Sequence, residues 1–310
     1  CDETSCAVAE MSDGERRLLS CAIDSQIETH ARYGGVVPEI ASRAHAEAIC
    51  PVVTSAVKDS GVSLSEIDAV AVTCTPGLIG SLLVGVSYAK ALAFSLGVPL
   101  VPVNHIKAHV AAAYFPYPEL EPPFLCLAIS GGNTMLVDVR DYTDLRILGQ
   151  TRDDAAGEAF DKVARVLGVG YPGGPKIDAL AQNGDPKRYK LPDSRIKDAP
   201  LDFSFSGLKT AVINLAHNAE QKGETLDREG LAASFCTAVV HTLVPRLEEA
   251  VHQTHARNVV CAGGVMSSDI IRTWVQQRLP QVYFVPGQYS SDNAIGVSIL
   301  AAREAGLWLM

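Results

Sequence analysis

Two histidines in Asn104-His105-Ile106-Lys107-Ala108-His109 have the spacing that best suits metal chemistry in this chain. Residues four apart lie one above the other on a helical face, so two imidazoles can turn their nitrogens toward one divalent cation. The pair follows Val98-Pro-Leu-Val-Pro-Val103, which reads as a short buried strand, and leads into Val110–Tyr114, which reads as helix. A bare His-x3-His is equally served by one packed histidine and one solvated one. Asp292, in Ser290-Ser-Asp-Asn-Ala-Ile295, is the best placed late carboxylate to join the pair, although at a helix start it could act only as an N-cap. Two histidines and one carboxylate leave coordination positions open, as a catalytic metal requires. His252 and His255 form a competing pair, but they lie near a helix end among Glu248, Glu249 and Arg257, where a solvated or dipole-compensating role fits better. Ile106 follows His105, so no general-base glutamate of the His-Glu-x-x-His kind lies between the ligands.

Several small-residue turns could hold an anion. Ile129-Ser130-Gly131-Gly132-Asn133-Thr134 joins two apolar strands, and Gly-Gly permits positive φ and lets backbone N–H groups point at a ligand. Ala262-Gly263-Gly264-Val265 follows a strand and precedes a helix, a setting for a phosphate or adenine. Tyr171-Pro-Gly-Gly-Pro175 precedes a helix carrying Asp178, and Asp161 lies on the preceding helix. Either carboxylate alone suits a solvated helix surface. With three Gly-Gly turns they suit a nucleotide cleft, hydrogen-bonding ribose hydroxyls.

These residues need a scaffold. The start reads as a β-hairpin: Cys6–Ala9, a turn at Ser12-Asp-Gly14, then Leu18–Ile23, with Cys1–Ser5 a polar turn. A loop over 28–36 precedes a helix from Pro38 to Ile49, and a second helix covers about 51–60. Ser63-Leu-Ser-Glu66 is a capping box and Ile67–Thr73 a strand. Thr75–Gly85 is a turn rich in small residues, where backbone must approach something closely, before a helix over 86–96. Strands at 98–103, 124–130, 134–139 and about 145–150 follow, then a helix at 154–167. Residues 184–206 form a polar excursion carrying Lys187, Arg188, Lys190, Arg195 and Lys197. Helices at 207–221, 229–256 and 268–278, strands at 258–262 and 282–285, and a last helix over 292–306 complete the chain. The repeated alternation argues for α/β architecture with two similar lobes and a cleft between them. The lobes are expected at 1–104 with part of the C-terminal helix, and at 105–310.

The 310 residues are 47% hydrophobic and 20% charged, a globular composition, and the net charge of −9 excludes a generally basic nucleic-acid binder. No signal peptide is visible, and no run is expected to reach the roughly 18–20 apolar residues of a membrane helix. The eight cysteines form no CxxC pair, which suits reduced thiols in a cytoplasmic compartment.

Assembled in order, these stretches resemble the tRNA N6-adenosine threonylcarbamoyltransferase (TsaD) family, once called O-sialoglycoprotein endopeptidases. The matching segments are His30–His45, Asn104–His109, Ser130–Thr134, Asp154–Asp161, Tyr171–Ala179, Phe203-Ser-Phe-Ser-Gly-Leu-Lys-Thr210, Ala262–Val265 and Ser291-Asp-Asn293. The resemblance implies the two-lobed actin-like, hexokinase-like ATPase fold and an acyltransferase that moves threonylcarbamoyl from threonylcarbamoyl-adenylate to N6 of adenosine 37 in tRNAs reading ANN codons. It implies that His105, His109 and Asp292 hold one divalent metal, Fe2+ or Zn2+. It implies that Ala128, Ile129, Ser130, Gly131, Gly132, Asp161, Gly174, Asp178 and Ser268 hold the adenylate. It also implies tRNA as partner, with a paralogous dimerisation subunit and a small P-loop ATPase in the bacterial case or a homodimer in the organellar case. The helices over 38–60 would form that interface.

The chain departs from the family pattern in three places. An apolar strand ending in Gly-Ile-Glu normally precedes the Cys-Asp-Glu-Thr turn and is absent, so either the chain starts late or the first lobe lacks an edge. Ser268 stands where many members have Asn, with a shorter reach. Ala128 stands where the archaeal and eukaryotic branch has a metal-contacting Tyr, so the chain resembles the bacterial or organellar branch. The alternatives are a small-molecule kinase of the same fold, which would not need the His pair, a metallopeptidase, and a non-catalytic binding paralogue.

Overall fold

A computed structural model describes residues 2–12, 15–279, 281–290 and 294–304. Asp292 lies outside the described residues, as do Asp13 and Gly14 of the expected first turn. The chain divides into two compact units, one of Cys1–Pro122, Asp141–Leu145 and Val285–Met310, the other of Pro123–Arg140 and Arg146–Phe284. The expected lobe boundary at 104–105 falls inside the first of these.

In the first unit, β1 (Glu3–Ser12) and β2 (Glu15–Ser25) pair antiparallel from Glu3↔Ser25 to Ser12↔Glu15, with a bulge between Val8 and Ala9. Glu3–Ser5 is therefore strand, not the expected polar turn, because backbone pairing with β2 overrides a polar local sequence. Helix α1 (Ile27–Ala31) occupies the start of the expected 28–36 loop and buries His30. Helix α2 (Pro38–Ser60) opens on Pro38 and closes at left-handed Gly61, with φ 72°. It is one helix, not two. Pro51 removes one backbone hydrogen bond, yet buried Ala41, His45, Val52 and Ala56 stay in phase across it. The Ser63–Glu66 capping box is present.

Strand β3 (Val70–Thr75) pairs parallel with β4 (Leu100–Asn104) across α3 (Ile79–Leu96). Helix α3 begins well before the expected residue 86. Its small residues serve close packing, since a Cβ on Gly80 would lie 3.0 Å from Ser42 Cβ of α2. Helix α4 (His105–Ala111) follows β4 directly.

The second unit is built on a five-stranded sheet of order β7-β6-β5-β8-β9. Its strands are β5 (Phe124–Ile129), β6 (Thr134–Val139), β7 (Leu145–Gln150), β8 (Val259–Ala262) and β9 (Val282–Phe284). β5 and β6 form a hairpin, whereas β5, β8 and β9 run parallel. The helices of this unit are α5 (Ala156–Val166), α6 (Gly173–Ala181), α7 (Ser206–Lys222), α8 (Arg228–Thr254) and α9 (Asp269–Arg278). The chain then returns to the first unit with α10 (Gly287–Ser290) and α11 (Ile295–Glu304).

Among the described residues two helices are long and apolar enough to cross a membrane, contrary to expectation, and their surroundings differ. Helix α8 is mostly buried and runs through the core of the second unit, where Phe235 meets Phe160 at 5.1 Å between ring centroids. Helix α3 is only 11% buried and exposes Ile79, Leu83 and Phe94, the last by 90%.

Candidate active site

The histidine pair is set by a helix cap. Asn104 Oδ1 accepts from the backbone N–H groups of Ile106 at 2.9 Å and Lys107 at 3.2 Å, so α4 starts at His105. His109 follows one turn later, buried, and buried Ile106 and Val110 hold the opposite side. The two Nε2 atoms stand 3.1 Å apart, with ring centroids at 4.4 Å. Metal–imidazole bonds are about 2.0–2.1 Å, so the separation of the two nitrogens is one that a single cation can span. Among the described residues no cluster of three His, Cys, Asp or Glu side chains is formed, and Asp292, the third expected ligand, lies outside them.

The helix that follows Asp292 lies directly on α4. A Cβ on Gly296 would run into the carbonyl of Ala108, the residue before His109, at 2.6 Å from its carbon. Only glycine permits that approach of α11 to the histidine helix.

The expected nucleotide residues all fall in the second unit, and close contacts join them in a ring. The Ser130–Asn133 turn closes the β5–β6 hairpin through Ser130 N–H donating to Asn133 O at 2.9 Å. Neither Gly131 nor Gly132 takes the positive φ that glycine permits, and a Cβ on either would meet nothing within 4 Å. These glycines therefore supply open space beside backbone rather than an unusual conformation. Ala128 and Ile129 are buried strand residues that lead into the turn and present no side chain to a ligand.

Helix α5 presses on this turn from below. A Cβ on Gly157 would lie 2.6 Å from Ser130 O and 2.8 Å from Gly131 Cα, and Ala156 N–H donates to Thr134 Oγ1 at 2.9 Å. One turn on, Asp161 Oδ1 accepts from Gly173 N–H at 2.7 Å, and a Cβ on Gly173 would be 2.6 Å from Asp161 Cα. Gly174 beside it is open. On the same helix α6, buried Asp178 takes the Ser268 hydroxyl on Oδ1 and Asp269 N–H on Oδ2 at 3.2 Å. Ser268 also caps α9, accepting from Ile271 N–H at 3.3 Å. Gly263, at φ 96°, closes the ring, since a Cβ there would collide with the Ile129 carbonyl at the end of β5. Both Asp178 oxygens are thus occupied by the start of α9, a use that the sequence reading did not foresee.

The Ser268 contacts carry a stability prediction. Ser268→Ala removes a helix cap, about 1 kcal/mol, and one partner of a buried carboxylate, so a loss of about 1–3 kcal/mol is expected in urea unfolding. Ser268→Asn keeps a capping side chain and recovers most of it. An unchanged midpoint for the alanine variant would show that these bonds contribute nothing.

Sequence reasoning missed Asp153 and Asp154. Asp153 Oδ1 accepts from the N–H groups of Phe205 at 2.8 Å and Ser206 at 3.2 Å, capping α7, while Asp154 pairs with Lys162 and Lys209. Their adjacency just ahead of the α5 helix was the available signal. Burial pushes the Cys6 thiol up to about 11 and that of Cys261 up to about 12, and raises Cys126 and Cys236 as well, so none of these four is an activated nucleophile.

The sequence profile of a family described as TsaD, tRNA N6-adenosine threonylcarbamoyltransferase, matches residues 17–298. A tRNA N6-adenosine threonylcarbamoyltransferase of Moorella thermoacetica is 49% identical over 97% of this chain and 88% of its own length. One of Clostridium botulinum strain 657 is 50% identical over 98% of this chain and 90% of its own. The chain belongs to the tRNA N6-adenosine threonylcarbamoyltransferase family. Among solved structures, component A of Acidaminococcus fermentans (R)-2-hydroxyglutaryl-CoA dehydratase aligns with a TM-score of 0.58 at 13% identity, covering 98% of this chain and 95% of that one. Thermococcal HypF (T. kodakarensis) aligns with a TM-score of 0.61 at 14% identity over 84% of this chain and 44% of that one. These likenesses concern fold alone. They agree with the expected α/β, actin-like and hexokinase-like ATPase class for this threonylcarbamoyltransferase family member.

Proposed function

We propose that this acyltransferase performs the transfer that names its family, placing a threonylcarbamoyl group on N6 of adenosine in tRNA, with one divalent cation held by His105, His109 and Asp292. The observation that carries the metal reading is the 3.1 Å approach of the two histidine Nε2 atoms on a capped helix. Iron(II) and zinc both suit imidazole and carboxylate donors that leave positions open. When bound, such an ion supplies Lewis acidity to the carbamoyl carbonyl.

The chain's own residues do the rest. The N–H groups of Gly131 and Gly132, on the open side of the turn, bind the phosphate of threonylcarbamoyl-adenylate. Asp161 and Asp178 shape the wall around open Gly174. Binding in this way orients the carbamoyl carbon for attack by the adenine amine. The new bond is N6–C. The C–O bond to the phosphate breaks, AMP leaves with the electron pair, and the proton from N6 passes to the departing phosphate or to water. The turn then holds the departing phosphate.

The tRNA-binding reading of the 184–206 stretch is narrower than its composition suggests. Arg188 pairs with Asp227 at 3.5 Å and Arg195 with Asp193 at 2.8 Å, so exposed Lys187, Lys190 and Lys197 are the better candidates for tRNA phosphates. A paralogous subunit, or a second copy of the chain, would cover α2 and the exposed apolar face of α3, with a small P-loop ATPase completing a bacterial assembly in the cytoplasm. The kinase and peptidase alternatives gain nothing from the relatives, which are named as transferases.

The test is transfer of labelled threonylcarbamoyl from its adenylate to an unmodified ANN-decoding tRNA, with cognate partners present and with or without chelator. Label is expected at adenosine 37, to vanish on chelation and to return with Fe2+ or Zn2+. Full transfer by metal-free protein would overturn the metal reading.

A further inference from the structure

Helix α5 packs against the Ser130–Gly132 turn through Gly157, and an ion cluster sits where α5 begins. Asp154 lies just ahead of the α5 N-cap, Ala155, and its side chain is 14% exposed. Its two oxygens are gripped by two lysines from different helices. Oδ1 accepts from Lys162 Nζ of α5 at 2.9 Å. Oδ2 is closed to solvent and meets Lys209 Nζ of α7 at 2.7 Å, as an ion pair rather than an aligned hydrogen bond.

The two lysines are not equivalent. Lys162 also pairs with Glu158 at 2.7 Å within α5, so it would stay in place without Asp154. Lys209 reaches across from α7 and ties the two helix starts together, beside the Asp153 cap of α7. Burial pushes the Asp154 carboxyl up, but Lys209 and Lys162 outweigh it and hold it below its ordinary range. The carboxylate is therefore charged at neutral pH. If Lys209 lost its ammonium, a closed-off carboxylate oxygen would face no cation, and Asp154 would turn toward water. The first turn of α5 would move with it. Gly157 in that turn stands against Ser130 and Gly131 with no room for even a methyl group, so the movement must reach the phosphate turn.

We propose that Lys209, acting through Asp154, is a positioning residue that sets α5 beneath the Ser130–Gly132 turn and so sets affinity for the adenylate phosphate without touching the ligand. The inference rests on the nucleotide reading given above. It requires a cation on a long stem at 209, not lysine itself, and Lys209→Arg should preserve it.

The experiment measures AMP binding by calorimetry together with KM and kcat for threonylcarbamoyl-adenylate, using the full chain with its partners. Lys209→Met is expected to raise both the AMP Kd and KM by about ten- to a hundredfold, the scale of a misplaced support, while kcat stays within about threefold. Lys209→Arg is expected to return both to near wild type. Asp154→Asn, which keeps shape and removes the charge, should match Lys209→Met and covers the case in which Met at 209 fails to fold. Unchanged Kd and KM in Lys209→Met and Asp154→Asn would overturn the proposal. So would an equal fall of kcat and melting temperature in Lys209→Met and Lys209→Arg, which would mark a purely structural role. If the wild-type protein itself does not bind AMP, the nucleotide reading fails first and this inference falls with it.

Discussion

Alanine at His105 or at His109 is expected to lower threonylcarbamoyl transfer by about a thousandfold and to leave the purified protein without a stoichiometric divalent ion. A Lewis acid at a reacting carbonyl contributes several kcal/mol, and about 4 kcal/mol corresponds to three powers of ten in rate. Either single change should be nearly as damaging as both together, because two ligands of one ion act as a unit. Folding should survive. The Asn104 cap and buried Ile106, Ala108 and Val110 keep α4 in place without the imidazoles. Metal content by mass spectrometry and single-turnover transfer with purified adenylate check the two halves separately. A double variant with normal transfer would sink the metal role entirely.

The largest stability effect should come from Gly263→Ala. The backbone there sits at φ 96° and ψ 159°, a region essentially confined to glycine, where an L-residue is strained by about 1–3 kcal/mol. The added methyl would also strike the Ile129 carbonyl, and both partners are backbone at the end of paired strands β5 and β8. Overpacking against immovable atoms adds about 1–3 kcal/mol, so a total of about 2–6 kcal/mol is expected by denaturant unfolding. Gly264 next to it has open space around it, and Gly264→Ala serves as the control expected to cost under about 1 kcal/mol. Equal effects at the two positions would show that the close approach to Ile129 is not what selects glycine at 263.

Local sequence was enough to read most of this architecture. Apolar runs on either side of a Gly-Gly turn marked β5 and β6, and Ser63 with Glu66 marked their capping box, because each signal lies within a few residues. The misreadings share a physical cause, which is tertiary context. Pro51 looked like a helix end because its cost is local, whereas the buried stripe that carries α2 past it spans the whole helix. Gly80 looked like loop because what it accommodates is Ser42 on another helix. Cys1–Ser5 looked like a turn because the partner strand that recruits Glu3 onward comes later in the chain.

The site divides in the same way. The identities of His105, His109, Asp161, Asp178 and the Gly131-Gly132 turn were legible as residue types at useful spacings. The engagements that hold them were not. Asp178 finds Ser268, and Asp154 finds Lys209, across long stretches of intervening chain, and no periodicity announces such pairs. Asp178 in particular read as a free ribose ligand, yet both its oxygens are taken up at the start of α9.

The contacts running from the Ser130 turn through Gly157, Asp161, Gly173, Asp178 and Ser268 to Gly263 and back to Ile129 make a linkage with no loose end. In such a linkage no joint can be lengthened alone. A longer side chain at one node must be absorbed by a shorter one, or by a shifted helix, at another. Sequence drift around this ring should therefore proceed by compensating pairs. A change of residue at 268 re-aims the Asp178 carboxylate, and the partner substitution should be sought on α6, not beside the altered residue.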